Sequence, residues 1–309
     1  MKLFITGGNG FLGKHILAEL AKTNIQYYAP PSSKVNLLND EELYDALRDY
    51  APDSILHLAA MCGGLPKNSH LPADFLRENT QMALNIYECA RQNNITQIYA
   101  IGSVCMYPIN CPIPFHEDTI FDGPAEPTNF PYGQAKRTLM MLGQSYRKQY
   151  NFSGAFLIPV NMFGPKDCFD DDKSHVIPAI IKKIDQAMQH NHSTVELIGS
   201  GNATREFLFS QDSAEAIVKA ITINLDTNLP INLGTGKSIS IRDLANLISQ
   251  LMEYQGQIVF KDDGMDGQPK RELCVKRAEE MLGWTAQTSL KNGLIQTIKW
   301  WHQYKPIIP

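Results

Sequence analysis

The sequence predicts a doubly wound α/β fold, a parallel sheet with helices on both faces, joined to a second, smaller α/β lobe. Three observations lead there. Short apolar runs alternate with helix-length segments through the first half of the chain. A glycine-rich turn separates the first apolar run from the first helix. The 309 residues also exceed a typical domain of roughly 100–200 residues.

Taken in order, Leu3–Thr6 reads as the first strand and a helix runs from about Gly10 to Lys22. Gln26–Ala29 is the second strand, Asp40–Asp49 a helix and Ser54–Ala60 the third strand. A helix around Phe75–Gln92 precedes the strand Gln97–Ile101, and a helix from Tyr132 to Gln149 precedes the strand Ala155–Val160. Past Asn161 the texture changes, with Gly164-Pro165, an acidic loop Asp170-Asp171-Asp172 and a helix over Val176–Met188. Pro230–Leu233 is expected to return to the first sheet, whereas Ile241–Met252 and the carboxyl-terminal segment belong to the small lobe. The expected division is 1–160 with about 206–235 in the first domain, and 161–205 with 236–309 in the second. A substrate cleft is expected between them.

A net charge of -4, with 43% hydrophobic and 19% charged residues, is ordinary for a globular protein and leaves no basic surplus for nucleic acid. The amino terminus runs directly into the glycine turn, and no apolar run approaches the roughly 20 residues that span a bilayer. A cytoplasmic protein without a membrane partner is expected. Cys62, Cys89, Cys105, Cys111, Cys168 and Cys274 lack paired metal-ligand spacing, so neither a metal site nor a disulfide framework is expected.

The turn Gly7-Gly8-Asn9-Gly10-Phe11-Leu12-Gly13 has glycines at 7, 10 and 13, after a strand and opening a helix. Residues without a β-carbon let backbone N–H groups and the helix amino terminus approach a pyrophosphate, which points to a dinucleotide. The alternative is a glycine-rich turn with no ligand. An acid after the second strand would bind the ribose 2′-hydroxyl of NAD, but Tyr28-Ala29-Pro30-Pro31-Ser32-Ser33-Lys34 contains none. Ser32 and Lys34 favour the 2′-phosphate of NADP over NAD.

Tyr132 and Lys136 are spaced i, i+4 and share one helix face. An ammonium near a phenol lowers its pKa, so the phenol can exchange a proton with a carbonyl or alkoxide during hydride transfer. Ser103, just beyond the strand Gln97–Ile101, stands where parallel sheets place their ligands and can hydrogen-bond the same oxygen.

These features, with His57-Leu58-Ala59-Ala60, resemble the extended short-chain dehydrogenase/reductase family of nucleotide-sugar enzymes, in particular its epimerase/reductases of GDP-4-keto-6-deoxymannose. Further stretches carry the likeness: Gly63-Gly64, Pro72-Ala73-Asp74-Phe75, Gly102 to Pro108, and Glu126 to Tyr132. Others are Asn161-Met162-Phe163-Gly164-Pro165, Ser174-His175-Val176-Ile177-Pro178-Ala179 and Arg205-Glu206-Phe207. The resemblance implies that Ser103, Tyr132 and Lys136 reduce C4 while Cys105 and His175 move protons at C3 and C5. A thiol titrating near ~8.5 and an imidazole near ~6.5 suit that exchange. Read without the resemblance, a cysteine after a strand is usually packing and a histidine at a helix start a cap.

The resemblance also implies NADP contacts from Ala59, Tyr132, Lys136 and His175 besides the glycine turn. For a GDP-linked 4-keto-deoxy sugar it points to Asn161, Lys183, Arg205 and Lys270, the last next to Arg271, with Lys182 read as solvated. Where the family commonly carries arginines for the 2′-phosphate, this chain has Asn9, Pro30 and Ser32. A homodimer is expected, since relatives pair through long helices. The alternatives are a C4 reductase or single-centre epimerase/reductase on a related GDP-4-keto sugar, and a dinucleotide-binding protein without turnover.

Overall fold

The computed structural model describes residues 1–63, 70–170, 174–261 and 267–305; Gly64, Asp171 and Asp172 lie outside them. Six strands form one sheet, all paired parallel: β1 (Lys2–Thr6), β2 (Gln26–Tyr28), β3 (Ser54–His57), β4 (Gln97–Ile101), β5 (Ser153–Pro159) and β9 (Ile231–Leu233). Their spatial order is β2-β1-β3-β4-β5-β9. The order reverses between β1 and β3, so a crevice opens at the carboxyl ends of these two strands, where open α/β sheets bind ligands. The return of the chain to this sheet at β9 agrees with the sequence.

Local chemistry sets the helix limits. Helix α1 (Phe11–Leu20) follows the glycine turn. In α2 (Asp40–Tyr50) the Asn39 side chain accepts from the Glu41 and Glu42 N–H groups, and acids fill the positive first turn. Helices α3 (Pro72–Gln92) and α4 (Phe130–Tyr150) each carry proline in the first turn, where its missing N–H costs nothing. Both begin earlier than the apolar periodicity alone indicates. Strand β3 ends at His57, not Ala60, because the Ala59 N–H turns away to the Thr6 hydroxyl.

A second core forms beyond β5. Strands β6 (Asn161–Phe163), β8 (Thr204–Phe209) and β10 (Ser238–Ser240) make one small sheet, β7 (Thr194–Ile198) and β11 (Gln257–Lys261) another. Helices α5 (Val176–Gln189), α7 (Ile241–Leu251) and α9 (Leu290–Tyr304) pack Ile180, Ile184, Leu244, Ile248, Leu294 and Trp301 against them. Helix α6 (Ser210–Thr222) lies instead on the first core. So do Leu273, Ala278, Leu282 and Trp284, around α8 (Lys276–Leu282), a segment expected with the small lobe. Its apolar side chains cover α6 and β9. Among the described residues no helix is long and apolar enough to cross a membrane.

Candidate active site

The crevice is built from β1, β3 and α1. Thr6 Oγ1 is hydrogen-bonded to His57 Nδ1 at 2.9 Å and accepts the Ala59 N–H at 3.2 Å, which ties the ends of β1 and β3 together. His57 is buried and beside the Lys136 ammonium, so its pKa falls to about 3 and the ring stays neutral. Gly10 opens α1 with extended backbone and no side-chain cap, leaving the first N–H groups of the helix for an anion. At Gly13 a β-carbon would sit 2.5 Å from the Gly8 carbonyl oxygen and closer still to that of Gly7. This cradle fits a dinucleotide pyrophosphate. Gly13→Ala should therefore weaken NADPH binding by ~10-fold or more in a fluorescence titration; unchanged affinity would contradict the assignment. Asn9 and Gly10 are exposed at the turn, and Ser32 and Lys34 are exposed beyond β2.

At the end of β4, Ser103 is half-buried and its hydroxyl accepts the Cys105 N–H at 3.2 Å, capping the short turn Val104–Met106. Lys136 is buried, donates to the Ile101 carbonyl at 2.9 Å and stands 5.9 Å from the centre of the Tyr132 ring. Tyr132, in the first turn of α4, also meets the Phe75 ring edge-on at 6.4 Å. Burial brings Lys136 down to about 8, an effect partly opposed by Cys62. The phenol departs from the sequence expectation. Burial, then the Cys62 and Cys105 thiolates, hold its pKa above the ordinary tyrosine value, so it is kept as a proton donor.

Cys105 is half-buried close to this phenol. A β-carbon on Gly133 would overlap the Cys105 carbonyl oxygen, so the first turn of α4 rests directly on the Cys105 backbone. Arg137 reinforces the contact, donating from Nε to the Met106 carbonyl at 2.7 Å and from Nη1 to the Gly123 carbonyl at 2.9 Å. Ser103, Cys105, Tyr132 and Lys136 thus form one cluster. His175 stands apart, at the amino end of α5. It is exposed, and desolvation lowers its pKa.

The cations divide. Arg205 lies on β8, donates to the Thr204 carbonyl at 2.8 Å and faces Gly267; Lys270 bridges to Thr204 and pairs with Glu272 at 3.0 Å. These two are neighbours. Lys183 does not join them, since its ammonium donates to the Glu196 carbonyl on β7 at 3.1 Å. Lys182 donates to the Phe169 carbonyl at 3.1 Å. The Asn161 amide donates to the Glu206 carbonyl at 2.9 Å, leaving its oxygen for any ligand. Arg271 is buried, donating to Gln268 Oε1 at 3.0 Å and pairing with Glu126 at 3.3 Å, so its charge serves the fold.

Two supporting residues escaped the sequence reading. Glu206 is buried and its carboxylate gathers the N–H groups of Thr235, Gly236 and Leu273, joining β8 to both cores. Asn79 of α3 accepts the Met61 N–H at 2.9 Å and donates to the Met61 carbonyl at 3.0 Å. Its signal was an amide on the apolar stripe Phe75, Met82, Ala83, Ile86. Asp167, after β6, is a third buried group. Its Oδ1 accepts the Cys168 N–H at 2.7 Å, while Oδ2 has no partner among the described residues, and burial pushes the pKa from 3.8 to about 7. The folded state therefore holds a proton the unfolded chain releases, and stability falls as pH rises from 3.8 to about 7. Asp167→Asn should raise Tm by ~2–4 °C at pH 8 with no gain near pH 4, read by scanning calorimetry. An equal shift at both would contradict this.

A glycine cradle at the switch point, with serine, tyrosine and lysine at the end of the neighbouring strand, defines a dinucleotide-dependent oxidoreductase of the short-chain dehydrogenase/reductase class. The chain belongs to the NAD dependent epimerase/dehydratase family, which it matches over residues 3–234. It is 34% identical to a GDP-L-fucose synthase of Sinorhizobium fredii over 296 residues, 96% of this chain and 94% of that protein. It is 35% identical to a GDP-L-colitose synthase of Yersinia pseudotuberculosis over 303 residues, 97% of each. Among solved structures, a GDP-6-OMe-4-keto-L-xylo-heptose reductase from C. jejuni superposes with a TM-score of 0.90 at 26% identity, covering 98% of this chain and 97% of that one. A GDP-L-fucose synthetase from Naegleria fowleri bound to NADP superposes with a TM-score of 0.88 at 27% identity, covering 99% and 93%.

Proposed function

We propose that this protein acts in the cytoplasm to epimerise GDP-4-keto-6-deoxy-D-mannose at C3 and C5 and then reduce C4, giving GDP-L-fucose. The observation that carries this is Cys105 standing beside Tyr132 in the Ser103, Tyr132, Lys136 cluster: a carbon-acid base within the reductase site. The Sinorhizobium relative and the NADP-bound Naegleria structure support the substrate and the cofactor. NADPH supplies the hydride when bound.

The chain's residues do the rest. The α1 amino terminus and the glycine turn, with Ser32 and Lys34 beyond β2 and Ala59 beneath, hold and orient the dinucleotide. The Cys105 thiolate removes a proton next to the ketone, and His175 returns one from the opposite face. The Ser103 hydroxyl and Tyr132 phenol hydrogen-bond the C4 oxygen and stabilise the enolate. In the reductive step Tyr132 passes its proton to that oxygen, with Lys136 fixed by Ile101 to steady the developing charge. Arg205 and Lys270 pair with the diphosphate, with Asn161 and Lys183 as further contacts.

A substrate panel tests this. GDP-4-keto-6-deoxymannose should oxidise NADPH in preference to NADH. Dinucleotide binding without oxidation by any GDP-4-keto sugar would favour the non-catalytic reading. The colitose synthase relative and the heptose reductase fold support one second reading, reduction of another GDP-4-keto sugar, such as a 3,6-dideoxy sugar or a heptose. Leu76 and Leu84 on α3 and Met141 on α4 are exposed, which supports a homodimer through these helices. Light scattering should give twice the chain mass, and Leu84→Lys with Met141→Lys should halve it; a monomeric parent would contradict the pairing.

A further inference from the structure

Two buried side chains, three residues apart, tie together the segments that carry Cys105, Tyr132 and Lys270. Gln268 donates from Nε2 to the Ile109 carbonyl at 2.8 Å and to the Pro108 carbonyl at 3.3 Å, in the stretch that follows Ser103 and Cys105. Its Oε1 accepts from Arg271 Nε at 3.0 Å, and Arg271 Nη2 pairs with Glu126 Oε2 at 3.3 Å. Glu126 caps the short turn Pro127–Asn129, accepting the Thr128 N–H and the Asn129 amide at 3.2 Å each, directly ahead of α4 and Tyr132. Gln268, Arg271 and Glu126 are all buried. Burial raises the Glu126 pKa, but the Thr128 hydrogen bonds, the Arg271 charge and the Asn129 amide outweigh it and hold the carboxyl below its ordinary range. The pair is therefore ionic, and a guanidinium fork joined to an amide fixes direction as well as distance. Lys270 lies between Gln268 and Arg271, and its segment is bound to β8 on both sides: the Thr204 N–H donates to the Pro269 carbonyl at 2.8 Å and the Arg271 N–H to the Thr204 carbonyl at 3.2 Å.

We propose that Gln268, Arg271 and Glu126 are positioning residues that hold the Cys105 turn, the first turn of α4 and the Lys270 segment in one geometry, so that a sugar whose diphosphate lies on Lys270 meets the thiol and the phenol together. What this geometry serves rests on the function proposed above. A displacement on the order of 1 Å at reacting atoms can cost ~10²-fold in rate, so a buried link that sets the spacing of three segments acts on turnover without touching the sugar. None of the bonds named here reaches the glycine turn or α1, so dinucleotide binding is independent of them.

Arg271→Met would leave the Glu126 carboxylate buried without its cation and is expected to fold poorly, so the neutral link is the one to cut. Gln268→Met keeps the length of the side chain and removes the donor to residues 108 and 109. In the full-length protein loaded with NADPH, hydrogen–deuterium exchange read by mass spectrometry should show amides of residues 104–109 and 127–133 opening about tenfold faster in Gln268→Met than in the parent, with residues 2–20 unchanged. Unchanged protection of the first two segments, or equal loss at residues 2–20, would overturn the proposal. No sugar is needed for this arm, so it is decided apart from the substrate assignment. With GDP-4-keto-6-deoxymannose, well below its Tm, the variant should lose about tenfold in kcat for NADPH oxidation and show a raised sugar KM, while its NADPH Kd stays within about twofold of the parent. An unchanged kcat with a lowered Tm would reduce these residues to holding the fold and overturn the positioning role. A parent that turns over no GDP-4-keto sugar would sink the substrate reading alone, with amide exchange still deciding whether the three segments are held by this link.

Discussion

Cys105→Ser is expected to slow exchange of the C3 and C5 hydrogens of GDP-4-keto-6-deoxymannose with deuterated water by ~10³-fold, with circular dichroism and NADPH binding unchanged. A serine hydroxyl keeps the volume but titrates far above neutrality, so no base is left at that position. The fold is spared for a structural reason. What α4 rests on is the Cys105 backbone carbonyl, and what Ser103 caps is its N–H. Neither involves the sulfur. NMR follows the exchange directly, and exchange at the parent rate would show that Cys105 is packing.

Tyr132→Phe and Lys136→Met are expected to depress C4 reduction by ~10²–10⁴-fold while hydrogen exchange persists at a reduced rate. The phenol is the proton donor in the reductive step only, and its raised pKa keeps that proton in place. Lys136 titrates at about 8, so reduction should fall as pH rises through that value and the ammonium is lost. Lys136→Met should abolish that limb of the profile. Stopped-flow absorbance of NADPH across pH 6 to 10 reads both effects. A profile of unchanged shape in Lys136→Met would remove Lys136 from the step.

Much of this architecture was legible in the chain. The first sheet is written in apolar runs such as Lys2–Thr6 and Gln97–Ile101, buried at every position after the first, and the glycine turn marks the crevice. The cluster of Ser103, Cys105, Tyr132 and Lys136 was legible because two elements carry all four, and a helix resting on the end of a strand fixes their meeting. The small lobe was harder to read. Over five positions β7 alternates exposed and buried residues and β11 exposed and half-buried ones, and β10 is only three residues long. The place of Lys183 was illegible for a related reason: its partner, the Glu196 carbonyl, belongs to a strand that was not recognised.

The central claim is that one cluster both inverts two carbons and reduces a third. Its most direct test is product analysis of the parent enzyme with GDP-4-keto-6-deoxymannose and NADPH in deuterated water. Proton NMR of the product should show GDP-L-fucose with deuterium at both C3 and C5. A C4-reduced sugar retaining protium and the original configuration at those carbons would contradict the account.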